Sequence, residues 1–455
     1  MVDFLSEIFS PEQIATDTQS LEHWGRDWTR DKTPAPAAVV FPTEISQVQA
    51  LVRAARREGI GLVPSGGRTG LSGGAVAAAA EVVVSFDKMN KILDFNATDR
   101  LLRCQPGVVT QQLQEYAQAE GLMYPVDFAS SGSSQIGGNI ATNAGGIKVI
   151  RYGLTRDWVA GLKVVTGTGE LISANAGLTK NATGYDLRHL FVGSEGTLGF
   201  IVEAQIRLAR APAPQRVMVL GVAQFADLLS VLGHYQEALT LSAFEFFSQL
   251  ALDKVREHRE LPAPLAQPSN FYALLEFDAN DEETGLAAFE HCLNQGWVGD
   301  GVLSQSDAQA AALWQLREGI SESIAQYTPY KNDLAVKVSQ LPKFLDGVTQ
   351  VVHSAYPDFE VCWYGHIGDG NLHLNILKPQ KLSISEFYEQ CNKISPRIFE
   401  LVRDADGSIS AEHGVGTLKR DYLPYSRAPE QIELMRGLKR LFDPDGVMNP
   451  GKLLA

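Results

Sequence analysis

Three long, polar, glycine-rich loops lie between Pro64 and Gly199 and break that stretch into short helices and strands. The first is Pro64-Ser65-Gly66-Gly67-Arg68-Thr69-Gly70-Leu71-Ser72-Gly73-Gly74. The second runs from Ser131 to Gly146 as SGSSQIGGNIATNAGG, and the third is Gly193-Ser194-Glu195-Gly196-Thr197-Leu198-Gly199. Glycine lets the backbone approach a ligand closely, and successive N–H groups can then converge on an anion. The interleaved Ser, Thr and Asn add further donors. A pyrophosphate joined to a polar ring system needs such a surface. Any one of these loops, taken alone, is equally well an ordinary tight turn; three together are harder to assign that way. Neither the dinucleotide fingerprint GxGxxG after a first strand nor the P-loop GxxxxGK[ST] is present.

Around the loops the pattern is mixed. Residues 43–59 read as an amphipathic helix with Ile45, Val48, Val52 and Ala55 on one face and Gly59 as its stop. Strands are expected at Ile60–Val63 and Val82–Ser85, and a helix from Thr110 to near Gly121. This alternation implies an α+β domain over 1–210. The segment RAPAPQR reads as a linker. A second α+β domain follows over 211–410, with a strand at Phe271–Phe277 and a helix at Leu313–Ile324. A C-terminal segment, 411–455, carries AEHGVG and DPDGVMNPGKLL. The formal net charge of −14 argues against nucleic acid or an anionic membrane as partner. Cys104, Cys292, Cys362 and Cys391 form no CxxC pair, as expected in a reducing compartment. No leader-like or membrane-spanning run is read, so the expected location is cytoplasmic.

The three loops together resemble the FAD-binding domain of the vanillyl-alcohol-oxidase (PCMH) type flavoproteins. Within that superfamily the chain is similar to the FAD-linked 2-hydroxy-acid dehydrogenases. The resemblance implies a two-subdomain FAD-binding domain, a substrate domain with an antiparallel sheet, and a C-terminal segment that returns to the FAD domain. Members with covalent flavin often carry His in the first loop. Here Arg68 stands there with no His or Cys, which implies non-covalent FAD. By the same resemblance Ser65, Gly66, Gly67, Arg68, Thr69, Gly70 and Ser72 surround the pyrophosphate. Ser131, Gly137, Gly138, Thr142 and Asn143 line the isoalloxazine side. Gly196, Thr197 and Ile201 close the adenine side, and Asn449 and Lys452 approach the flavin. Read without the resemblance, the last two fit a capped turn with a solvated lysine equally well.

In the second half, His366-Ile367-Gly368-Asp369-Gly370-Asn371-Leu372-His373 holds a tight turn that can bring His366 and His373 to one side, with Leu372 and Leu374 in the core. Glu412 and His413 follow about 40 residues on. Two His and one carboxylate with open positions suit a catalytic Zn²⁺, or Mn²⁺ or Fe²⁺. From spacing alone, two core histidines bonded to backbone fit better. The resemblance favours the metal reading, with His366, His373 and Glu412 as ligands and Asn375 and His413 beside the substrate. His413 is then the expected general base.

Arg317 and Ser321, at i and i+4 of an expected helix, share a face, and Lys331 follows in the next segment. A surface Arg paired with Glu318 or Glu322 is the alternative. The resemblance places an Arg, a hydroxyl and a Lys where a distal carboxylate binds, although Ser321 stands where Thr is common. Two cations and a hydroxyl suit a dicarboxylate better than lactate. The expected reaction is therefore FAD-dependent oxidation of D-2-hydroxyglutarate to 2-oxoglutarate, with D-lactate, D-malate or glycolate as the alternative. The expected electron acceptor is an electron-transfer flavoprotein or a quinone. The motifs are silent on assembly, for which a homodimer is one option. A zinc hydrolase and a non-catalytic flavin-binding subunit are the competing classes.

Overall fold

The computed structural model describes residues 2–29 and 32–454. The chain forms two compact units: one comprises Met1–Gly145, Gly153–Ala211 and Glu412–Ala455, the other Gly146–Tyr152 and Pro212–Ala411. Among the described residues no helix is long and apolar enough to cross a membrane.

The first unit contains two main sheets. In the four-stranded sheet, Ala38–Val40, Val82–Ser85 and Leu62–Ser65 run parallel, with Ile14–Ala15 on the outer edge. Val82 and Val84 pack into one cluster while Val83 packs into another. This strand is therefore buried on both faces, which is why it reads as an unbroken apolar run. The helix Ile45–Glu58 buries Val48, Leu51, Val52, Ala54 and Ala55 and ends at Gly59, whose φ of 66° is left-handed. The Ile60 amide still donates to the Ala55 carbonyl, so the next strand begins at Leu62 rather than Ile60. The returning C-terminal stretch adds to the sheet edge: Leu62 N–H donates to Val447 O and Asn449 N–H to Leu62 O.

The second sheet of this unit has five antiparallel strands, in the order 92–96, 101–104, 199–207, 159–166, 171–176. The helices Thr110–Ala119 and Ile136–Thr142 contribute Leu113, Ala117, Ile136 and Ile140 to its core.

The other unit is built on a seven-stranded antiparallel sheet, ordered 300–303, 215–222, 271–278, 241–248, 361–365, 371–376, 330–335. Helices Gln249–Arg259, Asp307–Glu318 and Ile320–Ser323 supply Leu252, Val255, Trp314, Leu316 and Ile320 to the core over one face. The single helix expected over 313–324 is two pieces that meet at Gly319. A short excursion, Gly146–Tyr152, leaves the N-terminal sequence to join this unit. Its Lys148 pairs with Glu276, and Arg151 pairs with Asp278 at 2.7 Å.

Candidate functional site

The first unit holds an open cavity. Gly66, Gly67, Arg68, Thr69, Gly70 and Ser72 line it from the first loop, Gly137, Gly138 and Thr142 from the second, and Gly196 and Ile201 from the third and the strand after it. The loops approach each other closely because glycine permits it. A Cβ on Gly67 would lie 2.1 Å from the Ser133 carbonyl oxygen, whereas one on Gly138 would meet nothing within 4 Å.

The remaining loop residues singled out from sequence do not line the cavity. Ser65 is buried beneath the first loop. Ser131 accepts at its carbonyl from Gln111 N–H. Asn143, left-handed with φ 53°, accepts from Arg156 N–H at its side chain. The Thr197 hydroxyl donates to Ser194 O at 2.7 Å. Asn449 acts as a clamp, its Nδ2 donating to Gly74 O at 2.9 Å and Glu195 O at 2.7 Å. Lys452 is buried 3.8 Å from Glu81, and burial lowers its ammonium pKa.

Sequence reasoning passed over Asp27, Gln135, Asn139 and Glu195, which also line the cavity. Asp87 orders this wall. It accepts from Trp24 Nε1 and Gln135 Nε2, both at 2.7 Å, and pairs with Arg68 at 3.4 Å. The Glu195 carboxylate accepts from Val415 N–H at 2.8 Å and Gly416 N–H at 2.7 Å. Burial raises its pKa against those two donors. Two buried polar atoms of this wall, Asp27 Oδ2 and Gln135 Oε1, make no aligned hydrogen bond in the protein. Buried polar atoms are normally satisfied, so this wall fits a polar ligand such as a dinucleotide.

The second unit concentrates its polar chemistry at one end of the sheet. The hairpin Val361–Gly365 and Asn371–Ile376 turns at Gly370, where φ is +90° and a Cβ would strike the Val336 carbonyl at 2.1 Å. Strand alternation puts His373 and Asn375 on one face while Leu372 and Leu374 are fully buried on the other. His366 lies in the turn, with its ring centroid 5.2 Å from that of His373. His366 has a carboxylate hydrogen-bonded at Nδ1, Glu245 at 2.8 Å, whereas Asp333 lies 3.7 Å from His373 Nδ1 and accepts from Asn371 Nδ2 at 2.9 Å. Metal-binding histidines commonly carry such a carboxylate on the nitrogen away from the ion. Ala411 N–H donates to Asp333 O, which ties down the chain just before Glu412 and His413. Within this unit the rings of His366 and His373 are neighbours, and the Asp333 carboxylate stands beside His373. This nitrogen and oxygen donor set fits a divalent transition ion.

Arg317 and Ser321 lie on successive short helices, and both meet Tyr364. Arg317 is buried, pairs with Glu245 at 2.7 Å and stacks on Tyr364 at 4.7 Å. Its Nε and Nη2 make no aligned hydrogen bond. Ser321 is solvent-accessible and accepts from Lys331 Nζ at 3.1 Å. Lys331 is reached by solvent yet crowded by protein, and that desolvation lowers its pKa. Strand register sets Lys331 opposite Asn375. Glu245 and Asp333 were missed from sequence. The signal available for Glu245 was a lone charge inside the apolar run Ala243-Phe244-Glu245-Phe246-Phe247.

Comparison with known proteins bears on both units. Residues 211–453 match the C-terminal domain of the FAD linked oxidases and residues 36–175 match an FAD binding domain. The chain belongs to the FAD-linked oxidases. It is 58% identical over 458 residues to a D-2-hydroxyglutarate dehydrogenase of Stutzerimonas stutzeri, covering 100% of this chain and 99% of that one. It is 37% identical to the mitochondrial D-2-hydroxyglutarate dehydrogenase of Bos taurus, covering 98% and 81%. Among solved structures, p-cresol methylhydroxylase aligns with a TM-score of 0.75 at 15% identity over 99% of this chain and 95% of that one. The 4-ethylphenol oxidase of Gulosibacter chungangensis aligns at 0.76 and 16% identity with the same coverage. The fold is thus of the vanillyl-alcohol-oxidase type. The chain is an FAD-linked oxidoreductase.

Proposed function

We propose that this FAD-linked oxidase converts D-2-hydroxyglutarate to 2-oxoglutarate, with non-covalent FAD and a divalent cation, Zn²⁺ or alternatively Mn²⁺ or Fe²⁺. The observation that carries the substrate reading is that Arg317, Ser321 and Asn375 all meet Tyr364, while Lys331 donates to Ser321 and stands opposite Asn375 in the strand register. The activity of the 58% identical relative supports it. FAD, when bound in the glycine-lined cavity, supplies a hydride acceptor, and a cation on His366, His373 and Glu412, the ligands that the family resemblance implies, would supply Lewis acidity toward the substrate hydroxyl.

The chain's own residues do the rest. Arg317 and Lys331 provide positive charge for the distal carboxylate, and the Ser321 hydroxyl and Asn375 amide supply neutral hydrogen bonds. His413 takes the hydroxyl proton on a ring nitrogen. The absence of His and Cys from the first loop supports a dissociable flavin. Electron-transfer flavoprotein or quinone is the expected acceptor, on the family resemblance. A cytoplasmic location accords with the four cysteines, all buried thiols. Burial pushes those of Cys104, Cys362 and Cys391 up to about 12, which keeps them protonated.

The test is anaerobic bleaching of the flavin by a panel of hydroxy acids, with and without chelator. D-2-hydroxyglutarate should reduce it at least about tenfold faster than D-lactate, D-malate or glycolate, the effect of roughly one charge-assisted hydrogen bond. Chelator should slow the reduction. A preference for lactate would overturn the substrate reading, and a colourless, flavin-free preparation would favour a hydrolase.

A further inference from the structure

Glu245 sits in the middle of the strand Leu241–Ser248, between Phe244 and Phe246 in sequence, and is only 1% exposed. A carboxylate so deeply placed is strongly disfavoured unless paired and hydrogen-bonded. Its two oxygens face two different partners. Oε1 lies 2.8 Å from His366 Nδ1, and Oε2 lies 2.7 Å from Arg317 Nη2. The three groups come from separate elements: a central strand, the helix Asp307–Glu318 and the turn after Val361–Gly365. Tyr364 lies under the guanidinium at 4.7 Å, so Arg317 is held from a second side.

We propose that Glu245 is a positioning residue that sets both halves of the reaction centre at once. One oxygen fixes His366 in the tautomer with hydrogen on Nδ1, which turns Nε2 outward as the metal-facing atom. The other oxygen fixes the guanidinium whose remaining donors are left for the substrate carboxylate. The inference rests on the metal and substrate roles proposed above. It adds that a single side chain, touching neither ligand, couples them. Either oxygen could be lost without the other, so the two functions can be separated by substitution.

Glu245→Gln keeps an acceptor for His366 but discards the negative charge facing Arg317. It should retain metal within about tenfold and raise KM with little change in kcat. Glu245→Leu removes both contacts and should weaken metal binding by about 10–100-fold, the usual effect of losing an outer partner of a ligand histidine. Because Glu245→Leu leaves Arg317 buried without a counter-charge, it could fail to fold. Glu245→Leu/Arg317→Met removes that charge and keeps the test open. Each protein is stripped with chelator, and Zn²⁺ affinity is measured by competition with a chromophoric chelator, alongside the melting temperature of the apo form.

The double variant should melt near wild type yet bind Zn²⁺ as weakly as expected for Glu245→Leu. A purely structural role predicts that restoring the fold also restores the metal, and that result would overturn the proposal. If wild type itself takes up no Zn²⁺, the metal reading above fails instead, and the two failures are thereby distinguished.

Discussion

A methyl group on Gly67 would lie 2.1 Å from Ser133 O and 2.7 Å from Ser134 Cα, both backbone atoms that cannot swing aside. The first and second loops must therefore part, and the wall they share is part of the cavity proposed for the flavin. Overpacking of this kind costs about 1–3 kcal/mol, and because the strain falls on the cofactor wall it should appear mainly as weaker FAD binding, by about 5–150-fold. Gly437 offers the control. It lies within the helix Pro429–Phe442, and a Cβ there meets nothing within 4 Å. Titration of deflavinated protein with FAD, followed by fluorescence quenching, should show Gly67→Ala impaired and Gly437→Ala equal to wild type. Equal affinity in both would mean that the close approach of the loops is irrelevant to the cofactor. The glycine loops were legible because their chemistry is local: spacing and residue type alone announce a backbone that can bend around a ligand. Glu245 was not legible in the same way. Its partner His366 lies 121 residues away, and only the pairing of Leu241–Ser248 with Val361–Gly365 brings the two together.

At the scale of elements, the third loop and the returning segment are joined through Glu195. Its carboxylate accepts from the amides of Val415 and Gly416, and its backbone carbonyl accepts from Asn449. Burial raises its pKa above the ordinary carboxylate value. A folded pKa above the unfolded one contributes stability that is fully present below the unfolded pKa and is lost as pH rises through the folded pKa. Glu195→Gln carries no titrating group and lacks this loss. Paired thermal melts from about pH 4, near the unfolded pKa of Glu, up to neutrality should therefore shift steadily in favour of the variant. A difference in melting temperature that stays constant with pH would refute the raised pKa. Elements of this kind were partly readable beforehand. The strand Val82–Ser85 and the helix ending at Gly59 follow from local pattern, and the structure places them there. The break at Gly319 was not readable, because residues on both sides keep helical spacing. The excursion Gly146–Tyr152 was hidden for a related reason: it is fixed by Lys148–Glu276 and Arg151–Asp278, pairs whose members are more than a hundred residues apart.

At the scale of the whole molecule, the unit with the glycine-lined cavity is assembled from three stretches of chain, and the last of them contains the C-terminus. Val447 and Asn449 exchange backbone hydrogen bonds with Leu62, at 2.7 Å and 2.8 Å. The Asn449 side chain grips Gly74 and Glu195, and Lys439 donates to Thr197 O and Met448 O at 2.8 Å and 2.6 Å. The stretches 62–74, 193–201 and 439–449 thus share hydrogen bonds that must break together for the cavity to open. A ligand that binds the folded unit alone stabilises it by about 2.7 kcal/mol at a free concentration one hundred times its Kd, an approximately hundredfold reduction in opening. Amides that exchange only through that opening should be slowed by the same factor wherever they lie in the sequence. Hydrogen–deuterium exchange with and without excess FAD should therefore show about a hundredfold slowing in peptides covering 62–65, 199–207 and 447–449 alike. Protection gained at 62–65 but absent at 447–449 would mean that the C-terminal stretch frays independently. The bridge between Leu62 and Met448 would then be decoration on a cofactor site that is complete without it.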